Sequence, residues 1–438
     1  MPGPERIPTP SNGKKDVLVH NWHLESGIEY KFPKKILFWD ETLRDGEQTA
    51  GVYFTPDEKL ELARKFDEMG IHIADVGIPA VSEQEKESVK RIAKAGLDMS
   101  VLGACRTLKS DIDACIECDV DEISPFIAAS PVHLKHKLNM SEDQVVEKSV
   151  EAIEYGKDHG FKVTFVTEDT VRADMDFVER LYKAALDAGA DRLLLCDTVG
   201  VMTPRLFQWW LAEAMKRIGK AEYGVHIHND FGMATANSLA ALEAGVTVVN
   251  TTFGGLGERA GNAPFEEIAF ALELLYGRKT GLDLSKTYEV SKRVEELSGV
   301  PLGITKPIVG YNAFTHESGI HTDGVIKNTL TYEPIQVEMM DGRKRRFVFG
   351  KHTGTRAIET RLAEYGVTNV PKETLLKLQR EIKLHTEHKL KAEQGDFIER
   401  YRDWDENHKG VTPREFWQLA LKAGIPTPAK ARKELPAR

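Results

Sequence analysis

The sequence predicts a (β/α)8 TIM barrel followed by a small α/β linker subdomain and a C-terminal helical region. Eight short runs of apolar and β-branched residues alternate with amphipathic helical patterns across residues 34–280. Helix start and stop signals separate these runs, and polar residues collect where the runs end. Eight such units in about 240 residues match a closed barrel, whereas a doubly wound sheet would usually stop at about five or six strands.

The positions of the runs predict the eight strands. They cover residues 36–43, 72–79, 100–106, 122–128, 162–168, 192–198, 224–230 and 247–253. Thr55 and Glu58 form a predicted capping box, in which Pro56 takes the first helical position. Ser141 and Gln144 form a second such box. Glycines predict the ends of four helices, at Gly70, Gly96, Gly160 and Gly245.

The pattern changes on both sides of the barrel. The segments predicted outside it are a flexible N-terminal arm at 1–33, the linker subdomain at 281–355, the helical region at 356–425 and a disordered tail at 426–438. Within the linker, the alternation across 335–350 predicts a β-hairpin, with Asp341 and Gly342 as its two-residue turn.

The composition excludes several classes of protein. A formal net charge of -9 at pH 7 argues against binding to nucleic acid or to an anionic membrane. No apolar run approaches the roughly 18 residues that a membrane helix needs. The four cysteines are too few and too scattered for a disulfide framework, which predicts a cytoplasmic protein. Cys115 and Cys118 form a CxxC pair without a second such pair, so they are interpreted as ordinary helix residues.

Polar residues stand at the ends of the predicted strands, where barrel enzymes carry their chemistry. They occur at 40–45, 75, 106, 168–169, 197–198 and 226–230. His226 and His228 are the most informative, since side chains two positions apart on a strand share a face and can hold one metal ion. A purely structural histidine pair is the alternative. Asp45 could add an oxygen ligand, and Arg44 a fixed positive charge for an oxyanion.

Four motifs together resemble one enzyme family. In chain order they are DETLRDGEQ, GVHIHNDFGMATAN, GGLGERAGNAP and FTHESGIHTDG. With them the chain resembles the acetyl-CoA-dependent 2-alkylmalate synthases, which include isopropylmalate, citramalate and homocitrate synthases. Shorter motifs such as GIPAVSEQEKE and EDTVRAD are most similar to the homocitrate synthases associated with nitrogen fixation, whereas FIAASPVHLKHKLNMS resembles isopropylmalate synthases.

The resemblance implies a metal site. A divalent ion, Mg, Mn or Zn, would be held by Asp45, His226 and His228. Asn262 would lie near the metal or its water. Arg44 would stabilise the enolate and the oxyanion.

The resemblance also implies substrate contacts. Gln48 would orient the site, Thr198 would bind the carboxylate beside the 2-oxo group, and Glu168 would position the arginine or polarise the acceptor carbonyl. Arg106 is our own choice for a distal acidic group of the acceptor, because it ends the third predicted strand. An ion pair with Asp75 or with Glu168 is the alternative for Arg106.

The family further implies a base supplied from outside the barrel. His321, with Tyr332, would come from the linker subdomain of the partner subunit, which makes a homodimer part of the expected mechanism. His321 is predicted to lie in a glycine-flanked loop rather than in a helix, which is compatible with a lid or an arm acting in trans. A histidine that only stabilises this loop is the alternative.

The implied activity is that of an acyltransferase. Acetyl-CoA would be condensed with a 2-oxo acid by a metal-dependent Claisen condensation, followed by hydrolysis of the thioester. The best match for the acceptor is 2-oxoglutarate, giving homocitrate; phosphonopyruvate, pyruvate and 2-oxoisovalerate are alternatives. An acyl-CoA lyase is less favoured, because such lyases carry a cysteine in the glycine-rich loop where Glu258, Arg259 and Ala260 stand. A non-catalytic metal-binding scaffold is the remaining alternative.

Overall fold

The computed structural model describes residues 19–407 and 409–425. The disordered tail predicted at 426–438 and the first eighteen residues of the predicted arm lie outside the described residues. The described chain divides into two compact units. The first comprises 19–49, 53–313 and 334–344, and the second comprises 50–52, 314–333 and the described residues from 345 onward.

Eight parallel strands form a closed barrel in the first unit. They are β1 Leu37–Asp40, β2 Ile73–Asp75, β3 Ser100–Arg106, β4 Glu122–Ala128, β5 Lys162–Glu168, β6 Arg192–Asp197, β7 Glu222–Ile227 and β8 Val248–Thr251. Each strand pairs with the next, and β1 closes the ring against β8 with Leu37 opposite Val248. The predicted (β/α)8 barrel is confirmed.

Helices alternate with the strands in the first unit and dominate the second. In chain order they are α1 Trp22–Glu25, α2 Pro56–Glu68, α3 Glu83–Ala93, α4 Lys109–Cys118, α5 Pro131–His133, α6 Glu142–Asp158, α7 Met175–Asp187, α8 Pro204–Ile218, α9 Ala234–Glu243, α10 Phe265–Phe270, α11 Thr287–Ser298, α12 Gly319–Lys327, α13 Thr355–Glu364, α14 Lys372–Asn407 and α15 Pro413–Lys422. Single π-turns extend α5 over Leu134–Leu138 and α10 over Ala271–Leu275. No helix of the described chain is both long enough and apolar enough to cross a membrane.

The local signals in the sequence explain where these helices begin and end. Thr55 and Glu58 make both hydrogen bonds of a capping box at the start of α2, and Ser141 and Gln144 do the same for α6. Beyond the end of α2, Gly70 has a φ of 82°, a left-handed conformation that a residue with a Cβ rarely adopts. The predicted capping boxes are confirmed.

The inside of the barrel is solid below the strand ends. Trp39, Leu102, Leu194 and Val248 belong to one buried cluster that fills it. Nearer the start of the strands, the buried guanidinium of Arg192 forms ion pairs with Glu222 at 2.8 Å and with Glu122 at 2.9 Å. A substrate can therefore enter only from the C-terminal ends of the strands.

The hairpin predicted across 335–350 is wrong. Val337–Met339 form a 3-10 turn, and Val337 and Met340 are both buried, a spacing of three that suits a helical turn rather than alternation. The backbone N–H of Asp341 donates to Ser285 O, not across a hairpin. In the second unit, the two-residue strand β10 at Arg346–Phe347 pairs in parallel with β9 at Thr315–His316. The segment predicted as one linker subdomain is thus divided between the two units.

The described end of the N-terminal arm is anchored. The side-chain amide of Asn21 donates to the carbonyl oxygens of Leu274 and Leu275, at 3.2 and 2.9 Å. The ring of His23 packs edge-on against Tyr276, with 4.8 Å between ring centroids. From residue 21 onward the segment is therefore attached to the barrel rather than free, which corrects the expectation of a flexible arm for this stretch.

Candidate active site

A cavity of about 340 Å³ lies at the C-terminal ends of the strands. Its charged and polar lining includes Glu41, Arg44, Asp45, Gln48, Lys137, Glu168, Thr198, His226 and His228. Its apolar lining includes Trp39, Ile78, Ala104, Phe126, Val166 and Leu194. Most of the polar residues predicted at the strand ends thus meet in one cavity, because the C-terminal ends of all eight strands converge there.

Asp45, His226 and His228 form the most compact group in this cavity. One potential ligand atom from each lies within 4.8 Å of the others, and all three residues are buried. Nε2 of His226 is 3.0 Å from Nε2 of His228, which is 3.8 Å from Oδ2 of Asp45. Two imidazoles and one carboxylate are a donor set that suits a divalent cation with open coordination positions.

Asn262 completes this group from the glycine-rich loop after β8. Its Nδ2 donates to Oδ2 of Asp45, and its backbone bridges to His228. Its Oδ1 is buried and has no hydrogen-bond partner among the described residues. A buried oxygen left unpaired beside two imidazoles and a carboxylate fits a site built for a cation.

Arg44 lies beside the metal group and is held by carboxylates. Its Nη1 is 2.9 Å from Oδ1 of Asp45, and its Nη2 is 2.7 Å from Oε1 of Glu41. Burial disfavours the charged guanidinium, but the carboxylates around it raise the pKa of Arg44 well above its ordinary value. Arg44 therefore keeps a fixed positive charge at the cavity wall.

Glu41 was not singled out by the sequence analysis. It lies in the DETLRDGEQ segment, directly after β1, with its side chain 2% exposed. Its Oε2 lies 2.7 Å from Nδ1 of His226, and its Oε1 accepts a hydrogen bond from Nδ2 of Asn250 at 2.6 Å. The signal that could have found it is its place at a strand end within a motif already assigned to the site.

The two histidines have different electrostatic surroundings. Burial alone would lower the pKa of His226, but the Glu41 carboxylate outweighs it and raises that pKa. For His228, burial and then the charge of His226 lower the pKa to about 4. His228 is therefore neutral at physiological pH, as a metal-binding imidazole has to be.

Two nearby carboxylates, those of Asp45 and Asp75, also differ in the direction of their pKa shifts. Burial raises the pKa of Asp45, but the positive charge of Arg44 and the histidines outweighs it and lowers that pKa to about 2. Asp45 is thus an anionic ligand at neutral pH. Burial raises the pKa of Asp75 to about 7, although the positive charge of Arg44 acts to lower that pKa.

Glu168 and Thr198 stand on the opposite side of the barrel from β1, at the ends of β5 and β6. Lys137, on the π-turn after α5, forms an ion pair with Oε2 of Glu168. The hydroxyl of Thr198 accepts a hydrogen bond from the backbone N–H of Asp169 at 2.8 Å. Lys137 was not predicted from the sequence, although it lies within the FIAASPVHLKHKLNMS motif, which resembles isopropylmalate synthases.

Arg106 is not among the residues that line this cavity. Its Nε and Nη2 donate to the two carboxylate oxygens of Asp111, at 2.7 and 2.9 Å, near the start of α4. The prediction that Arg106 faces the acceptor is therefore corrected. Arg106 is ion-paired, as the alternative had it, but with Asp111 rather than with Asp75 or Glu168. Alternation along β3 alone would direct the guanidinium of Arg106 into the mouth of the barrel, but Asp111 binds it instead.

His321 and Tyr332 belong to the second unit, and His321 lies in helix α12 rather than in the predicted loop. Their ring centroids are 4.2 Å apart, and both side chains are exposed. Near them in the chain, Nε2 of His316 is 2.9 Å from Oε1 of Glu333. The structure thus brings the two predicted residues of the base together within one unit.

Comparison with protein families gives two matches. Residues 35–294 match the HMGL-like family, and residues 308–390 match the family described as homocitrate synthase post-HMGL domain-like. The first match covers the barrel and ends within α11, and the second begins shortly after that helix. The order of the two matches is that of the motifs quoted from the sequence.

Curated relatives resemble most of the chain. Homocitrate synthase AksA of Methanothermobacter thermautotrophicus is 47% identical over 359 residues, which are 82% of this chain and 91% of that protein. A 2-isopropylmalate synthase of Methanocaldococcus jannaschii is 48% identical over 76% of this chain and 64% of its own length. The (R)-citramalate synthase CimA of the same organism is 45% identical over 80% of this chain and 70% of its own length.

Solved structures share the fold at lower identity. The HMG-CoA lyase of Bacillus subtilis superposes with a TM-score of 0.57 and 23% identity, covering 62% of this chain and 96% of the lyase. At this identity the likeness establishes the barrel and no activity.

Proposed function

Because this chain belongs to the HMGL-like family, in the branch that contains homocitrate, 2-isopropylmalate and citramalate synthases, we propose that it condenses acetyl-CoA with 2-oxoglutarate to give homocitrate. The chain is an acyltransferase of the 2-alkylmalate synthase type, which joins acetyl-CoA to a 2-oxo acid. The observation that carries the proposal is the Asp45, His226 and His228 group beside Arg44 at the mouth of the barrel.

The cavity residues fit the requirements of this condensation. A divalent ion held by Asp45, His226 and His228 would polarise the 2-oxo group of the acceptor. Arg44 would stabilise negative charge on the acceptor oxygen, because it is a fixed cation in the same cavity. As the resemblance implies, Gln48 would orient the site, Thr198 would bind the carboxylate beside the 2-oxo group, and Glu168 would polarise the acceptor carbonyl.

The donor has to lose a proton from its methyl group. We assign that step to His321, with Tyr332 beside it, acting from the second unit of a partner subunit in a homodimer. The resulting carbon nucleophile attacks the 2-oxo carbon, and water then hydrolyses the thioester to release coenzyme A. The exposure of both side chains supports a role that a second copy completes.

We assign to Lys137 the role that the sequence predicted for Arg106, which is to bind the second carboxylate of the acceptor. A dicarboxylic acceptor needs a cation for its second carboxylate, and Lys137 lines the cavity with its side chain 52% exposed. The other cavity cations, Arg44 and Arg259, are each tied to aspartate carboxylates. Lys137 also has a carboxylate partner, Glu168, but holds it through a single ammonium contact that a substrate carboxylate can share.

We also place the protein in the cytoplasm. All four cysteines are buried and unpaired, which supports a reducing compartment.

A panel of acceptors tests the proposed reaction. Coenzyme A release from acetyl-CoA is followed with a thiol reagent while 2-oxoglutarate, 2-oxoisovalerate, pyruvate and phosphonopyruvate are each supplied. We expect the highest kcat/KM with 2-oxoglutarate. A higher value with 2-oxoisovalerate would move the chain to the 2-isopropylmalate synthases, which its 48% identity to such an enzyme makes the second candidate. No release with any of the four acceptors would refute the proposed reaction, and cleavage of acyl-CoA substrates would then distinguish a lyase from a non-catalytic scaffold.

A further inference from the structure

A single buried carboxylate in the lining of the active-site cavity contacts nitrogen atoms of three neighbouring residues. The side chain of Glu41 is 2% exposed. Its Oε2 lies 2.7 Å from Nδ1 of His226. Its Oε1 lies 2.7 Å from Nη2 of Arg44 and 2.6 Å from Nδ2 of Asn250. Glu41 therefore touches a metal ligand and the neighbouring cation at once.

The contact with His226 determines which ring nitrogen carries the proton. A carboxylate oxygen and a ring nitrogen 2.7 Å apart in a buried site repel each other unless a proton lies between them, so Nδ1 is protonated. Nε2 of His226 is then unprotonated, so it accepts the 3.0 Å hydrogen bond from Nε2 of His228 and can offer the same lone pair to a cation. Without Glu41, Nε2 could carry the proton instead and would be unable to bind a cation.

We propose that Glu41 is a positioning residue that sets the affinity of the site for its divalent metal. It keeps Nε2 of His226 unprotonated, and it links the His226 ring to the guanidinium of Arg44. A carboxylate or carbonyl partner behind a metal-binding imidazole raises the basicity of the ligand and fixes its orientation. The inference rests on the metal-dependent reaction proposed above, and it assigns a role to a residue that holds neither substrate nor metal itself.

Only a carboxylate suits this position. Nη2 of Arg44 and Nδ2 of Asn250 lie 2.7 and 2.6 Å from Oε1, and Nδ1 of the histidine ring lies 2.7 Å from Oε2. A glutamine would offer one acceptor oxygen and one NH2 group, so its NH2 would meet at least one of these donors directly. Substitution Glu41→Gln therefore keeps the volume and removes the function.

Asp40 provides a matched control in the adjacent position. It is also a buried carboxyl group, 1% exposed, but its oxygens accept from the backbone N–H and the hydroxyl of Thr42, at 2.9 and 3.0 Å. Asp40→Asn therefore removes a buried carboxyl group from the same segment without touching His226 or Arg44.

The experiment measures metal binding without any substrate. Metal-free parent, Glu41→Gln and Asp40→Asn proteins are titrated with Mn²⁺, and free Mn²⁺ is followed by its electron paramagnetic resonance signal. We expect the Kd of Glu41→Gln to rise roughly 10- to 100-fold. The Kd of Asp40→Asn should equal that of the parent. Circular dichroism of the metal-free proteins checks that each is folded.

Glu41→Asp provides a second variant, because it keeps the charge but withdraws the carboxylate by one methylene. It should also bind Mn²⁺ more weakly than the parent. A folded variant of either kind with the Kd of the parent overturns the proposal. If neither variant folds, the proposal is also overturned, since Glu41 would then be needed for the barrel and not for the metal. A parent that binds Mn²⁺ yet condenses no 2-oxo acid would refute the proposed function and leave this inference standing.

Discussion

Nε of Arg44 donates to Oδ2 of Asp75 over 2.8 Å, so the segment after β1 is joined to the end of β2 by a buried ion pair. The guanidinium has a carboxylate on each of its nitrogens, with Asp45 and Glu41 on the other two. Its plane is therefore fixed before any substrate binds. A catalytic cation that is already oriented has no reorganisation to undergo as charge develops on the acceptor.

The first prediction concerns the shape of this cation. Substitution Arg44→Lys should lower kcat by about 10²- to 10³-fold, because an ammonium cannot hold three carboxylates in one plane and still face the acceptor. Steady-state kinetics with 2-oxoglutarate measures the effect. Arg180→Lys is the control, since Arg180 pairs with two carboxylates on the exposed surface and should show the kcat of the parent. An Arg44→Lys protein with parental kcat would remove Arg44 from the reaction.

The second prediction concerns metal and stability. A metal that binds only the folded state should stabilise the parent by about 2.7 kcal/mol at a concentration 100 times its Kd. Asp45→Asn should abolish both this stabilisation and the release of coenzyme A, since it replaces the anionic ligand by a neutral amide. Thermal unfolding with Mn²⁺ and with a chelator measures the difference. Asp143→Asn, at an exposed carboxylate, should respond to Mn²⁺ as the parent does. A metal-dependent Tm that survives in Asp45→Asn would place the metal elsewhere.

The residues of the site differ in how far the sequence could reveal them. His226 and His228 were predictable because alternation along a strand is a local rule, and Asp45 because barrel chemistry stands at strand ends. Lys137 and Glu41 were missed because their roles depend on which side chains meet across the barrel, and pairing across strands is not a local property. Arg106 was misplaced for a different reason: its partner Asp111 is only five residues away but lies on the following helix, and alternation along a strand does not predict that contact.

The fold likewise has features that local sequence patterns predict and others that they do not. Eight strands and their helices were predictable from repeated periodicity and capping boxes that each need only a few neighbouring residues. The false hairpin at 335–350 came from a short alternation of residue types, whereas the burial of Val337 and Met340 follows the spacing of three of a 3-10 turn. The parallel pairing of β9 with β10 joins segments about thirty residues apart, and no short-range pattern announces such a pairing.

The third prediction tests acceptor recognition. Lys137→Met should raise KM for 2-oxoglutarate by roughly 10- to 100-fold, because a hydrogen bond to a charged group contributes about 1.5–3 kcal/mol. The KM for pyruvate, which has no second carboxylate, should change far less. Arg106→Met is the control and should leave both constants at parental values, since its guanidinium serves Asp111. The opposite pattern, with Arg106→Met raising KM, would restore the original prediction and refute ours.

The fourth prediction concerns pH and stability. Burial, partly opposed by the hydrogen bonds from Thr42, raises the pKa of Asp40 to about 8 from its ordinary value of 3.8. Between these two values the folded protein retains a proton that the unfolded chain has released, so this contribution to stability is lost as the pH rises toward 8. Asp40→Asn lacks the titration. Its free energy of unfolding relative to the parent should increase by about 1.4 kcal/mol per pH unit across this window and level off above it.

Urea unfolding at pH 5.5, 7 and 9 measures this difference between Asp40→Asn and the parent. Asp143→Asn serves as the exposed control and should show no such trend. A difference between Asp40→Asn and the parent that stays constant from pH 5.5 to 9 would mean that Asp40 is ionised in the folded protein at all three pH values.

The fifth prediction tests whether the base acts in trans. Asp45→Asn and His321→Ala each leave a homodimer without a complete site. If His321 serves the barrel of the partner, a mixed dimer regains one intact site, because one barrel then has both its own Asp45 and the partner's base. Random mixing of equal amounts should therefore restore about a quarter of the parental activity.

The control for complementation is a mixture in which no recovery is possible on geometric grounds. Asp45→Asn and His228→Ala both damage the metal group of the same barrel, so every barrel in the mixture keeps a defect however the subunits pair. Recovery with His321→Ala but not with His228→Ala is expected only if base and metal come from different chains. Mixed dimers that form, as shown by differently tagged subunits, yet remain inactive with His321→Ala would mean that the base and the metal group of one site belong to a single chain.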